Sequence, residues 1–389
     1  MVHAKHVGNY YVAEDIDRTC CMMTVCNFII HGVEGEVIWH NALQPDTFYG
    51  GWKTNEQLNS LFSKYRGISH VREISYDETL LKKINDKLKV GIYSDAGSMT
   101  CEGYQPGSFG YEEQHIKLFD EWGVDMLKYD FCYNQASAKI SYSQMGKVIA
   151  ALNKKRKTEN KVPFVFNICE WGKTEPWTWG AEAGGSSWRA TSDAREDWIG
   201  DYSLPGVIGG VDGHRSSTKI ASQNRFNDLD MMCIGLHGLG GPSNHIASHP
   251  SNGGTITGLN EAQARSQMSL WCMFASPLSL TCDLRENPQG EANSGVTVPK
   301  SLITDADIKT LTNAEILAIN QDKLGQQAEY MESLSTGKTD YSNSGYDVYV
   351  KDLVNGRIAV SVTNRGSSEI VVPVINLTDI YLQVEAGQL

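Results

Sequence analysis

Between about residues 85 and 285, short apolar runs of strand length alternate with longer segments of helical periodicity. The segment "YEEQHIKLFDEWG" at 111–123 is one predicted helix, and Gly123 is placed to end it. Such alternation predicts βαβ units and a parallel sheet. The predicted strands cover 88–95, 125–131, 162–171, 187–193, 226–235 and 273–283, and further helices are predicted at 142–157 and 260–275.

Each predicted strand carries an acidic residue at or toward its carboxyl end. In an α/β barrel the active site lies at the carboxyl ends of the strands, so acids at those positions are candidates for chemistry. Any single acid of this kind is equally well explained as a helix N-cap or a loop residue. Six in succession favour a site, and they are Asp95, Asp130, Glu170, Asp193, Asp230 and Asp283.

The stretch "DMLKYDFCY" at 125–133 places two charges in an otherwise apolar strand. Successive strand side chains alternate between faces, so Lys128 and Asp130 point to the same side. We expect the positive charge of Lys128 to keep Asp130 ionised, as a nucleophile requires. The alternative is an ion pair that only lines the interior of a barrel.

The two ends of the chain differ from this middle region. Residues 346–389 alternate apolar and polar positions, and Asn355-Gly356 and Arg365-Gly366 predict hairpin turns in a small antiparallel β domain. Near the N-terminus, strands are predicted at 24–31 and 36–39, with only four residues between them, and a helix at 74–87.

The predicted division of the chain is therefore an atypical N-terminal part at 1–85, a barrel core at 86–322 and a β domain at 323–389. A chain of 389 residues has room for a barrel of about 250 residues and an appendage.

The composition of the chain limits the classes of binding partner and cofactor that are expected. The net charge is −12 at pH 7, which argues against nucleic acid or an anionic membrane as a partner. No apolar run is long enough to span a bilayer, and the first residues lack the apolar core of a secretory signal, so we expect a cytoplasmic protein or one whose leader is missing. The 9 cysteines form no zinc-binding array, and neither a metal nor an organic cofactor is expected. Self-association into a homo-oligomer is left open.

Carboxylates are the candidate catalytic groups that remain once other catalytic motifs are excluded. The chain contains no phosphate-binding glycine loop and no GxSxG nucleophile elbow. Carboxylates beside Trp, Tyr, Lys and Arg suit glycoside cleavage, in which one acid attacks and the other protonates the leaving oxygen. A general acid needs a raised pKa, so we expect Asp193 to be buried beside another carboxylate and about 5 to 6 Å from Asp130.

An ordered set of segments resembles glycoside hydrolase family 27, the family of retaining α-galactosidases. The segment at 107–132, "GSFGYEEQHIKLFDEWGVDMLKYDFC", is similar to that family's nucleophile strand and the helix before it. The other segments follow in the family's order, and they are "GIYSDAGSMTC" (91–101), "NICEWG" (167–172), "WTWGAEAGGSSWRATSDAREDW" (177–198), "FNDLDMM" (226–232), "SLWCMFASPLSLTCDLR" (269–285) and "ILAINQDKLGQQ" (316–327).

The resemblance implies a role for each matching residue. Asp130 would be the nucleophile and Asp193 the general acid/base. Lys128, Glu170 and Arg189 would bind sugar hydroxyls, and Tyr93 and Met231 would line the pocket. A glutamate at position 170 would clash with an N-acetyl group, which favours galactose. The resemblance also implies a disulfide between Cys101 and Cys132.

Residues 1–85 depart from the family. Its members begin with a tryptophan-bearing strand, followed by a strand that ends in two adjacent aspartates, and neither motif is found here; "FYGGWK" at 48–53 has no acid pair. The predicted fold is therefore a (β/α)8 TIM-type barrel with an atypical N-terminal quarter, followed by a small antiparallel β domain.

The predicted function is removal of terminal α-linked galactose from an oligosaccharide or glycoconjugate by a retaining double displacement. Three alternatives remain: a β-L-arabinopyranosidase, an α-N-acetylgalactosaminidase, or a galactose-binding homologue without hydrolytic activity.

Overall fold

A computed structural model describes the backbone of four N-terminal strands and most of the chain from residue 89 onward. The described ranges are 11–15, 35–39, 50–54, 71–74, 89–103, 105–134, 136–200, 205–214, 222, 224–237, 258–282, 303–337 and 343–375. The chain divides into two compact units, Met1–Lys89 and Val90–Leu389. Within the described residues, no helix is long and apolar enough to cross a bilayer.

The first unit contains a mixed four-stranded sheet with the order β1-β2-β3-β4. The strand β2 pairs with β1 in parallel and with β3 in antiparallel fashion, and β3 pairs antiparallel with β4. The predicted strand at 36–39 is confirmed as part of β2, whereas the strand at 24–31 and, apart from Ile74, the helix at 74–87 lie outside the described residues. The four strands are Tyr11–Asp15, Gly35–Trp39, Gly50–Thr54 and Val71–Ile74.

The second unit is built on a parallel sheet with the order β5-β6-β7-β8-β9. Its strands are Val90–Asp95, Val124–Asp130, Val165–Ile168, Ser187–Arg189 and Phe226–Asp228. Five of the predicted strands and the parallel sheet are thereby confirmed. Helices lie between and after the strands: α1 Glu112–Glu121, α2 Ala138–Thr158, α3 Pro176–Trp179, α4 Val207–His214, α5 Glu261–Met273, α6 Asp305–Leu311 and α7 Ala314–Asn320.

The sixth predicted strand, at 273–283, is wrong for the residues that the structure describes. Met273 ends α5, and the chain after it forms only a single parallel bridge, between Met232 and Leu280. The apolar run was misleading because its first residues continue the buried face of the helix, where Trp271 and Phe274 are almost fully buried. Asp283 lies outside the described residues.

The alternation along β6 decides which side chains face the core and which face the site. Leu127 and Tyr129 are buried against Tyr142 and Met145 of α2, and burial of such side chains stabilises a fold by about 1.5–3 kcal/mol each. Lys128 and the residue two positions later project from the other face. The same strand therefore anchors the sheet to its helices and presents charged groups opposite them.

A separate antiparallel sheet of three strands follows, made of β10 Glu329–Tyr330, β11 Tyr346–Leu353 and β12 Arg357–Asn364. The predicted turn at Asn355-Gly356 is confirmed, and both residues have positive φ, 65° and 67°. The predicted turn at Arg365-Gly366 leads to no further strand within residues 367–375. This sheet belongs to the same compact unit as the parallel sheet, and it packs against the end of α5 through Tyr349, whose ring lies 5.2 Å from that of Phe274. A domain boundary at 323 stays a prediction.

Candidate active site

The five parallel strands bring their carboxyl ends to one edge of the sheet, and the acidic residues gather there. Asp95 and Asp130 end neighbouring strands and are direct partners in the register. Glu170 lies two residues beyond β7, and Arg189 ends β8. The expectation that strand-end acids would share one edge is therefore confirmed for the strands described.

Asp130 is buried and accepts two hydrogen bonds. The hydroxyl of Tyr93 donates to Oδ2, and the backbone N–H of Phe131 donates to Oδ1 at 2.9 Å. Burial raises the pKa of Asp130 and the charge of Asp193 raises it further, while the two hydrogen bonds and Arg189 act against them.

Asp95 joins the loops that follow β5 and β6. Its Oδ1 accepts from the N–H of Gly97 at 2.7 Å, and its Oδ2 accepts from the N–H of Cys132 at 3.0 Å. Burial raises the pKa of Asp95 to about 6. The backbone N–H of Ala96 donates to the carbonyl of Asp130 at 2.9 Å, so the two loops are fastened directly beside the candidate nucleophile.

Asp230 is the centre of the charge network, a role that the sequence did not reveal beyond its position at a strand end. Its carboxylate pairs with Arg189 at 3.0 Å and with Lys128 at 3.8 Å, and it accepts from the N–H of Ala194 at 2.8 Å. Asp230 has φ of 72°, a left-handed conformation that aspartate adopts more readily than most residues. The acid therefore holds two cations and the loop at 194 together.

The expected partnership of Lys128 with Asp130 is not found. Lys128 pairs with Asp230 instead, and its ammonium lies 5.7 Å from the centre of the Tyr93 ring. Arg189 is the cation that lowers the pKa of Asp130, although burial outweighs it. The prediction failed because spacing along β6 could not reveal Asp230, which lies two residues beyond β9 and reaches the lysine only in the folded chain.

Contrary to the expectation that Asp193 is buried, 58% of its side chain is exposed. Arg189, which is itself buried, holds Asp193 by a hydrogen bond of 3.2 Å from Nη1 to Oδ1. The exposed carboxylate is therefore oriented by a rigid cation and remains open to water. The predicted separation of about 5 to 6 Å from Asp130 stays a prediction.

Glu170 is 1% exposed, and its two carboxylate oxygens have different environments. Oε2 accepts from the N–H and the hydroxyl of Thr174, each at 2.9 Å. Among the residues that the structure describes, none donates a hydrogen bond of good geometry to Oε1, although the backbone N–H of Gly172 lies near enough to the carboxylate to lower its pKa slightly against the effect of burial. Burial raises the pKa of Glu170 to about 7. A buried acceptor without a donor is suited to a ligand hydroxyl.

The remaining predicted residues lie close to these groups. Tyr93 is 55% exposed although its hydroxyl reaches Asp130, so one face of its ring is open to a ligand. Met231 follows Asp230 and is partly buried. The sequence did not single out Cys169, a buried thiol whose sulfur lies 3.6 Å from the Tyr93 hydroxyl and 3.9 Å from Nη1 of Arg189.

The predicted disulfide between Cys101 and Cys132 is confirmed, with the two Cα atoms 5.0 Å apart. It links the loop after β5 to the loop after β6. The sulfur of Cys101 lies 3.3 Å from Oδ2 of Asp130, so the bridge forms one wall beside the candidate nucleophile.

A parallel sheet whose carboxyl edge carries carboxylates, an arginine and a tyrosine defines an α/β protein with the residue set of glycoside-cleaving enzymes. Residues 72–247 match the family model Melibiase_2, described as alpha galactosidase A. The chain therefore belongs to this family of glycosidases, glycoside hydrolase family 27, which confirms the resemblance found in the sequence.

Curated relatives agree with this assignment. An alpha-galactosidase of Oryza sativa subsp. japonica is 35% identical over 282 residues, which are 72% of this chain and 53% of the relative. An alpha-galactosidase of Cyamopsis tetragonoloba is 34% identical over 297 residues, 76% of this chain and 57% of the relative. The chain thus spans about half the length of the curated relatives it matches.

Solved structures show the same fold. A candidate alpha-galactosidase of Bacteroides fragilis aligns with a TM-score of 0.56 at 33% identity, over 74% of this chain and 54% of that one. The alpha-galactosidase of Saccharomyces cerevisiae aligns with a TM-score of 0.55 at 23% identity, over 73% of this chain and 58% of that one, a similarity of fold alone.

Proposed function

We propose that the protein hydrolyses terminal α-linked galactose with net retention of configuration. The observation that carries this proposal is the buried carboxylate of Asp130, held by Tyr93 and by the N–H of Phe131, beside an Arg189–Asp193 pair that remains open to water. Family membership supplies the substrate class, an α-galactoside oligosaccharide or glycoconjugate. The complete catalytic unit would be a (β/α)8 barrel with an atypical N-terminal quarter.

In the first step Asp130 attacks the anomeric carbon and forms a glycosyl-enzyme ester. Its two hydrogen-bond donors fix the carboxylate in one orientation, which lowers the entropic cost of reaching the transition state. Tyr93 keeps its proton because burial raises its pKa, so its hydroxyl stays a donor throughout. Asp193 protonates the departing oxygen in this step.

In the second step Asp193 accepts a proton from the water that releases the sugar. Exposure of more than half of its side chain suits this task, because leaving group and water must both reach it. The hydrogen bond from Arg189 orients the carboxylate while the proton is exchanged. This exchange restores both acids for the next cycle.

Sugar hydroxyls would be bound by the cations and acids of the same edge. Oε1 of Glu170 would accept a hydrogen bond from the 2-hydroxyl, and the bulk of an N-acetyl group at that position would clash with the buried carboxylate. Lys128 and Arg189 would donate to hydroxyls while Asp230 holds both cations in position. Tyr93 and Met231 would form the apolar wall of the pocket.

Rates on three nitrophenyl glycosides test the substrate assignment. We expect the α-galactoside to be cleaved fastest, ahead of the β-L-arabinopyranoside and the α-N-acetylgalactosaminide. A higher kcat/KM on either of the other two would overturn it. Galactose binding measured by calorimetry without turnover of any of the three would identify a sugar-binding homologue instead.

The leaving-group dependence of Asp193→Ala tests the acid/base role. Loss of a general acid costs about 10²–10⁴-fold in rate on natural disaccharides, whose leaving oxygen needs the proton. Nitrophenyl substrates need little protonation and should lose less in the glycosylation step. Equal losses on both substrate types would refute the role.

A further inference from the structure

The Cys101–Cys132 bridge contacts both buried acids at the ends of β5 and β6. The sulfur of Cys101 lies 3.3 Å from Oδ2 of Asp130 and 3.7 Å from Oδ2 of Asp95. A bridged sulfur has no proton to donate, so these are contacts and not hydrogen bonds. One potential metal-ligand atom from each of the four side chains lies within 4.8 Å of the others.

We propose that reduction of this disulfide turns the four side chains into a binding site for one thiophilic divalent cation of the Zn²⁺ class. A dithiol supplies two electrons and two protons: the bond between the two sulfurs breaks, two thiols form, and the dithiol becomes a cyclic disulfide. The cation then displaces the two thiol protons into water and is held by two thiolates and two carboxylates.

The donor set and its dimensions match such an ion. Zn²⁺ prefers four ligands in a tetrahedron, with Zn–S about 2.3 Å and Zn–O about 2.0–2.2 Å. Two thiolates on one such ion stand about 3.8 Å apart, a separation that the opened sulfurs can reach within a cluster of this size. The carboxylates of Asp95 and Asp130 are already buried side by side, and a divalent charge offsets the repulsion between them.

The surroundings allow the site to open without losing its scaffold. Cys101 is exposed, so a dithiol and a cation have access to it. The two loops are also joined independently of the sulfurs, by the N–H of Cys132 on Asp95 and by the N–H of Ala96 on the carbonyl of Asp130. These bonds keep the two carboxylates adjacent after reduction.

Metal binding has a direct consequence for activity, and this part of the inference rests on the proposed function. A carboxylate that ligates the cation cannot attack an anomeric carbon, so the metal-bound form of the protein is inactive. The disulfide then protects the nucleophile from metal binding, because the two bonded sulfurs cannot act as thiolate ligands and the carboxylate of Asp130 stays available.

Cation stoichiometry tests the site in the full chain. Protein reduced with a dithiol, freed of reductant without air and dialysed against Zn²⁺ should bind one cation more than the oxidised protein. It should also bind one more than a reduced Cys101→Ser/Cys132→Ser variant, which retains the other cysteines of the chain. Co²⁺ used as a probe should give the visible absorption of tetrahedral thiolate coordination only in the reduced wild type. Equal stoichiometry in all three samples would overturn the proposal.

A second measurement does not depend on the folding of the variant. Iodoacetamide should label Cys101 and Cys132 in the reduced wild type, and one equivalent of Zn²⁺ should slow that labelling at least tenfold, as followed by peptide mass spectrometry. Unchanged labelling would count against the site even if the double variant fails to fold.

Activity separates the two proposals. If the protein is a galactosidase, Zn²⁺ should inhibit the reduced enzyme at least tenfold, a chelator should restore the rate, and the oxidised enzyme should be unaffected. If no galactosidase activity exists, the stoichiometry and labelling still decide the metal site. Active reduced enzyme that binds the additional cation without inhibition would overturn the link to Asp130.

Discussion

The buried carboxylate of Glu170 makes a prediction about the pH dependence of folding. Its side chain is 1% exposed, and burial raises its pKa from an ordinary value of 4.5 to about 7. The variant Glu170→Gln keeps the shape and an acceptor oxygen for Thr174 but cannot ionise. Comparison of the two proteins therefore isolates the free energy of ionising this group.

The magnitude follows from the shift in pKa. A shift of 2.5 units, from 4.5 to about 7, corresponds to about 3 kcal/mol, since one unit is about 1.4 kcal/mol. The folded-state pKa is the higher one, so the stabilising contribution of Glu170 is full below pH 4.5 and is lost as pH rises through 7. The wild type should therefore lose stability between pH 4.5 and pH 8 relative to the variant.

Urea unfolding followed by circular dichroism at pH 5 and pH 8 measures this difference. We expect the free energy of unfolding of the wild type, minus that of Glu170→Gln, to fall by about 2–3 kcal/mol between these two values. The other buried acids titrate in both proteins and cancel in the comparison. A difference that stays constant within about 0.5 kcal/mol would refute the reasoning that burial penalises the ionised form of Glu170.

Substitutions of Arg365 and Gly97 test a buried ion-pair cluster and the packing of the loops beside the site, respectively. Arg365→Met should lower the free energy of unfolding in urea by about 3–5 kcal/mol, because the buried guanidinium binds the buried carboxylates of Asp212 at 2.6 Å and Asp347 at 2.9 Å. A decrease below about 1 kcal/mol would show that these ion pairs contribute little to stability. Gly97→Ala would place a Cβ 1.9 Å from the carbonyl oxygen of Cys132, so the melting temperature and kcat should both fall. Gly210→Ala is the control: it lies within α4, where the added carbon meets nothing within 4 Å and alanine favours the helix, so neither quantity should fall. Equal behaviour of the two alanine variants would contradict the close approach of the loops after β5 and β6.

Local patterns were sufficient to predict the parallel sheet. A short apolar run between segments of helical periodicity identified β6, and Gly123, with φ of 77°, ends the segment after α1 as its position indicated. Acidic residues at successive strand ends predicted a common edge because parallel strands must end together. The turn at Asn355-Gly356 could be predicted because such a turn needs residues that tolerate positive φ.

Ion pairs between residues far apart in the chain could not be predicted from the sequence. Lys128 pairs with Asp230, a residue 102 positions later by number, and nothing in the spacing of β6 indicates that acid. The exposure of Asp193 depends on what surrounds its loop in three dimensions. The run at 273–283 failed as a strand because continuous apolar character fits a buried helix end equally well.

The buried partners of Arg365 are a second long-range pairing that could not be predicted from the sequence. The pair Arg365-Gly366 has the composition of a turn, yet the arginine is fully buried against Asp212 and Asp347. Composition could identify the local turn residues but not the two carboxylates that draw the arginine inward.

The most direct test of the proposed reaction is the capture of the sugar on Asp130. Fluorine at carbon 2 of galactose slows both steps because it destabilises their positively charged transition states, and an activated leaving group restores the rate of the first step alone, so a covalent intermediate accumulates. Mass spectrometry should find one fluorogalactosyl group per chain, located in the peptide that contains Asp130, and none in Asp130→Asn, which should also lose turnover. A label on another residue, or near-native turnover by Asp130→Asn, would contradict the assignment.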